Sequence, residues 1–178
     1  TVAHQAWEDF PPLRYYEMSQ HLAYLRVAPE GELPLQPLWT FNGVVPGPLI
    51  VERYGELGHP EDGSVLLRLR NNLPANNGGF GLPSVTTHLH NGHTPSESDG
   101  FPCDFFEQEQ YYDQHYPNVL AGVSFDHQPN GDIRESMSTL WYHDHMHDFT
   151  SQNVYKGLAG MYLLFNDHDT GDETTGFH

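Results

Sequence analysis

Two H-x-H pairs give this 178-residue chain its clearest chemistry: His88-Leu89-His90 within THLHNG, and His143-Asp144-His145 within LWYHDHMH. On an extended strand, residues i and i+2 project from one face about 6–7 Å apart, so each pair presents two imidazoles side by side. If the two segments are neighbouring strands, four imidazoles converge on one patch. Neutral imidazole suits copper, zinc, iron and nickel, and a shared metal is the natural reason for four of them to face one another. Asp144 points away from its flanking histidines on a regular strand, so it reads as a supporting group rather than a ligand.

The other histidines (His4, His21, His59, His93, His115, His127, His147, His168 and His178) read as solvated or loop side chains, with His147 placed just past the second pair. Met146 and Met161 read as core fillers. The one cysteine, Cys103, rules out an internal disulfide and a cysteine-based zinc site. It reads as a buried or simply reduced thiol in preference to half of a bridge to another chain or domain.

The elements that must carry these residues are short, aromatic or β-branched, and punctuated by Gly, Pro and Asn. Tyr15 to Met18 and His21 to Val27 predict a first pair of strands, followed by Pro37 to Phe41, a turn at Asn42-Gly43, and Leu49 to Glu52. Ser64 to Leu69 sets Val65, Leu67 and Leu69 on one face and Arg68 and Arg70 on the other, the period of a half-buried strand. Val85 to His90, Met137 to His143 and Gly160 to Phe165 complete a set of seven or so. The fold class is therefore all-β, a Greek-key sandwich or barrel. One short helix is expected within Thr150 to Tyr155, with Asn153 and Lys156-Gly157 as its fraying end. The 45 residues from Asn91 to Glu135 are too long for a structureless connection and must hold some strand or helix, as an insertion between the two histidine-bearing strands.

Composition agrees. The 17 glycines and 14 prolines exceed the usual share, while charged residues, at 17%, fall below the common ~25%. The formal net charge of −17 repels phosphate backbones and anionic lipid, which argues against nucleic-acid and membrane-surface partners. No apolar run approaches the roughly 20 residues needed for a helical membrane span, and no charged-then-apolar leader opens the chain at Thr1. Residues 1–166 read as one domain. The acidic, patternless tail of residues 167–178 reads as a linker.

Three segments together resemble the first cupredoxin domain of a multicopper oxidase, in the branch of spore-coat laccase, bilirubin oxidase and phenoxazinone synthase. They are NGVVPGPLI (Asn42 to Ile50), THLHNG with the following TPSESDGFP (Thr94 to Pro102), and Leu140 to Phe165. The resemblance implies a cupredoxin-like fold that gives four histidines to a trinuclear copper cluster, the other four coming from another domain. On that pattern His88 matches the type 2 copper ligand. His90 and His143 match two ligands of one type 3 copper, and His145 matches a ligand of the other. Asp99 matches an acidic residue close to the cluster that helps move protons during reduction of dioxygen to water; its other reading is a turn-forming residue before Gly100.

The family's type 1 copper site, where a small reducing substrate delivers electrons, needs a cysteine flanked by histidines, and Cys103 in FPCDFF has none. That site is therefore expected outside this chain, with the remaining domains of the oxidase as its partner. The polypeptide is read as an N-terminal domain nicked or divided near Gly171 to His178. The resemblance favours a secreted or outer-surface location. Two other readings stand beside this one. A mononuclear cupin-like metal enzyme would use His88, His90 and a carboxylate such as Glu97. A non-catalytic, cupredoxin-like module is the other.

Overall fold

The computed structural model describes residues 11–55, 63–76, 81–125 and 128–175. His4, His59, His127 and His178 lie outside the described residues. Among the described residues, ten strands and one helix follow in chain order: β1 (Arg14–Leu25), β2 (Gln36–Phe41), β3 (Gly47–Arg53), β4 (Val65–Asn71), β5 (Thr87–His90), β6 (Tyr111–Tyr116), β7 (Val123–Phe125), β8 (Gln128–Asn130), β9 (Thr139–Asp144), the helix α1 (Thr150–Tyr155) and β10 (Ala159–Phe165). Strands in the order β2-β1-β4-β6 form one sheet and β3-β10-β9-β5 the other, while β7 and β8 form a separate ribbon. The two-sheet all-β sandwich expected from the sequence is the observed architecture.

Alternation explains the core. Val65, Leu67 and Leu69 of β4 are fully buried, as their spacing requires, and they join Trp39, Phe41 and Tyr142 between the sheets. The Asn42-Gly43 turn is present, with both residues at positive φ (54° and 82°). Asparagine and glycine are the residues that tolerate that conformation in tight turns.

The first two expected strands are one. Its N-terminal half runs parallel to β4, from Arg14 opposite Val65 to Gln20 opposite Asn71, and its C-terminal half pairs antiparallel with β2, from Gln20 to Leu25. The polar Ser19-Gln20 step that looked like a break is where β1 changes partner. There the buried Gln20 donates to Thr87 Oγ1 at 3.2 Å, and the Ser19 amide donates to Asn42 Oδ1 at 2.8 Å.

The long stretch after β5 does hold structure: β6, the β7–β8 ribbon and two single 3-10 turns at Ser96–Ser98 and Ile133–Glu135. β6 extends the first sheet along β4, and Arg68 clamps Asp113 across the pair with two 2.8 Å hydrogen bonds. His115, expected in solvent or a loop, is buried on β6, with its amide donating to Ser98 Oγ at 2.8 Å. The helix occurs where expected, but Asn153 is not a fraying end; it is buried. Met146 is a core residue, whereas Met161 is 41% exposed on the outer face of β10. Cys103 is free and exposed, so of the two forms expected for its thiol the buried one is ruled out and the simply reduced one stands. Among the described residues no helix is long and apolar enough to cross a membrane.

Candidate metal centre

β5 and β9 are antiparallel neighbours at one end of the second sheet, with His88 directly opposite His143 and His90 opposite Trp141. Leu89 and Tyr142 take the inward positions of these strands, so the histidines share the outer face. The donor atoms of His88, His90 and His143 all lie within 4.8 Å of one another. His145 follows β9 by one residue, and its amide donates to Thr86 O at 2.8 Å. Its ring centroid is 5.2 Å from that of His88 and 5.5 Å from that of His143, beside the tight group of donors rather than within it. All four expected histidines therefore gather at one edge of one sheet.

Hydrogen bonds fix which nitrogen each ring offers. His143 Nδ1 bonds to the Asp144 carbonyl at 2.7 Å, and His88 Nδ1 bonds to the carbonyl of Asp99. Both leave Nε2 with a free lone pair, the form in which imidazole binds a metal. His90 Nδ1 lies 3.3 Å from His143 Nε2. Two nitrogens so spaced suit a single ion bound by both at about 2.0–2.1 Å. Burial pulls the His143 pKa down to about 4, reinforced by the neighbouring imidazoles and partly opposed by its bond to the Asp144 carbonyl, so the ring is neutral at pH 7. The donor set fits a copper ion in chemistry and in spacing.

Asp99 sits at the end of the Ser96–Ser98 turn, placed by its neighbour Gly100. Gly100 has φ 74°, and a Cβ there would lie 2.3 Å from the Thr87 carbonyl oxygen and 2.6 Å from the His88 amide. Only glycine lets this loop press so closely on β5. The main link from Asp99 to His88 is thus a backbone carbonyl. The carboxylate takes a 2.8 Å hydrogen bond from Thr94 Oγ1, and its Oδ1 stands 3.4 Å from His88 Nδ1.

Asp144 faces away from the imidazole patch, as expected. It is buried, and its oxygens accept from the amides of Thr86 and Met146 at 3.0 Å each and from Asn153 Nδ2 at 2.9 Å. Burial raises its pKa to about 6 despite those three donors. The residue that sequence reasoning missed is Trp141. Its ring stacks on His143 at 4.0 Å between centroids and on His90 at 5.2 Å, holding both planes. The i, i+2 spacing from Trp141 to His143 was the available signal. Glu97 is exposed and is not among the clustered donors, so the geometry gives the cupin-like set no carboxylate from that position.

The family pattern described as multicopper oxidase matches residues 22–169. A laccase of Bacillus stratosphericus is 36% identical over 177 residues, covering 86% of this chain and 29% of the laccase. A bilirubin oxidase of Albifimbria verrucaria is 30% identical over 150 residues, covering 84% of this chain and 21% of the relative. Among solved structures, a multicopper oxidase from Pediococcus acidilactici superposes with a TM-score of 0.63 at 18% identity, covering 88% of this chain and 26% of that one. The fold is cupredoxin-like. The chain spans less than a third of the length of these relatives.

Proposed function

The chain belongs to the multicopper oxidase family, and from that premise we propose that it supplies half of the histidine ligands of a trinuclear copper cluster in an oxidase that reduces dioxygen to water. The observation that carries this reading is the cluster of His88, His90 and His143 donor atoms within 4.8 Å, with His145 alongside. His88 would hold the type 2 copper, His90 and His143 one type 3 copper, and His145 the other. The copper ions, when bound, supply one-electron chemistry and the site for dioxygen.

The chain's own residues orient and support. The carbonyls of Asp99 and Asp144 hold His88 and His143 in the tautomer that leaves Nε2 free, and Trp141 fixes two ring planes. Asp99 offers a carboxylate beside His88 that can hold a proton at Oδ1 or Oδ2 for delivery to the cluster.

The remaining ligands, the type 1 copper and the pocket for a small reducing substrate would lie in further domains of the same oxidase, a secreted or outer-surface protein. The outer face of the second sheet supports such a partner. Met161 lies on β10, beside the histidine strand β9, and Leu49 and Val51 lie on β3 beyond it; they are 41%, 57% and 52% exposed. A face of that kind fits an extensive obligate interface, above ~2,000 Å² in total.

The test is copper content, cluster spectroscopy and dioxygen consumption in the assembled oxidase with His143→Ala or His145→Ala. The coupled copper pair and dioxygen reduction should be lost while the blue type 1 absorption stays. Full dioxygen reduction by His145→Ala would overturn the assignment.

A further inference from the structure

Beneath the imidazole face, between β5 and the end of β6, the packing leaves a cavity with about 10 Å³ for the centre of a water molecule. Leu89 and Leu140 line it on the apolar side, and His93, Thr94, Tyr116 and Asn118 on the polar side. Asn118 is committed elsewhere, donating to Gly63 O at 2.7 Å and exchanging hydrogen bonds with Tyr162. Thr94 Oγ1 is committed to Asp99. Two buried polar atoms remain without a hydrogen-bond partner among the described residues: the hydroxyl of Tyr116, a side chain with no solvent exposure, and Nδ1 of His93.

Buried hydroxyls and ring nitrogens are paired in the large majority of cases, by protein or by ordered water. One water needs about 10–15 Å³ of such space and at least two polar partners. This cavity has a volume at the lower end of that range, and both residues with an unpartnered polar atom line it. Burial, helped by the charge of Asp99, pushes the Tyr116 phenol far above its ordinary pKa, so it stays a neutral donor and acceptor.

We infer that Tyr116 Oη and His93 Nδ1 hold one structural water that ties the end of β6 to the loop following β5. That loop carries Thr94, whose hydroxyl fixes the Asp99 carboxylate beside His88. The water therefore braces the support of the candidate metal centre from inside the sandwich. The inference does not depend on which metal the imidazoles bind.

Two measurements test it. A crystal structure of the protein at a resolution that places waters should show one ordered water in contact with Tyr116 Oη and His93 Nδ1; a dry cavity would overturn the inference. Tyr116→Phe removes the hydroxyl with little change of shape. If the hydroxyl holds a water, the variant strands that water and His93, and the melting temperature should fall by about 2–4 °C. If the hydroxyl is unpaired, removing it leaves the melting temperature unchanged or raises it, and that outcome also overturns the inference.

Discussion

Asn153 Nδ2 donates to Asp144 Oδ2 at 2.9 Å, joining α1 to the strand end that carries His143 and His145. Both residues are fully buried, so this contact sits in low dielectric and water cannot replace it. Asn153→Ala would leave the carboxylate with only its two amide donors, Thr86 and Met146. The expected cost is about 1–3 kcal/mol of stability, read by urea or thermal unfolding. An unchanged unfolding midpoint would show that α1 does not brace the histidine strand.

Gly160 faces Tyr142 across the β9–β10 ladder, and a Cβ there would lie 2.2 Å from the tyrosine ring and hydroxyl. Tyr142 cannot yield easily. It is fully buried, packs edge-on against Phe41 at 5.0 Å, and donates to Pro48 O at 2.6 Å. Gly160→Ala should therefore destabilise by about 1–3 kcal/mol or more through overpacking, although alanine has the better intrinsic backbone entropy. Thermal unfolding by circular dichroism checks the sign; a stabilised Ala variant would mean that Tyr142 has another place to go.

That fit between Gly160 and Tyr142 shows where sequence reasoning runs out. The alternation in β4 exposes its buried face directly, because strand period and burial coincide, and the Asn42-Gly43 turn is legible because few residues accept positive φ. The two H-x-H pairs bring four imidazoles to one patch once β5 and β9 are paired. β6 escaped notice because TyrTyrAspGlnHisTyr is a polar run. Its Asp113 is explained only by Arg68 on a strand 45 residues away in sequence. The partner change within β1 likewise resembles a break until β2 and β4 are both in view. The Asp99 link to His88 runs through a carbonyl, which side-chain chemistry cannot announce.

Lys156 gives a prediction in pH. Its side chain is buried, and Nζ lies 3.5 Å from the centroid of the Trp39 ring. Burial lowers its pKa to about 8 from an ordinary 10.5, while the charge of Asp144 pulls weakly the other way. The indole face also favours the ammonium form, so two effects oppose burial. If burial wins, the folded chain sheds this proton near pH 8 and the unfolded chain keeps it to about pH 10.5. Between those values the unfolded state binds more protons, and stability rises with pH. Lys156→Met removes the titrating group and with it that slope. The melting temperature of the wild type relative to the Met variant should therefore hold steady from pH 6 to 7 and climb from pH 8 to 10. Parallel curves over the whole range would mean that the Trp39 face and Asp144 together cancel the cost of burying the charge.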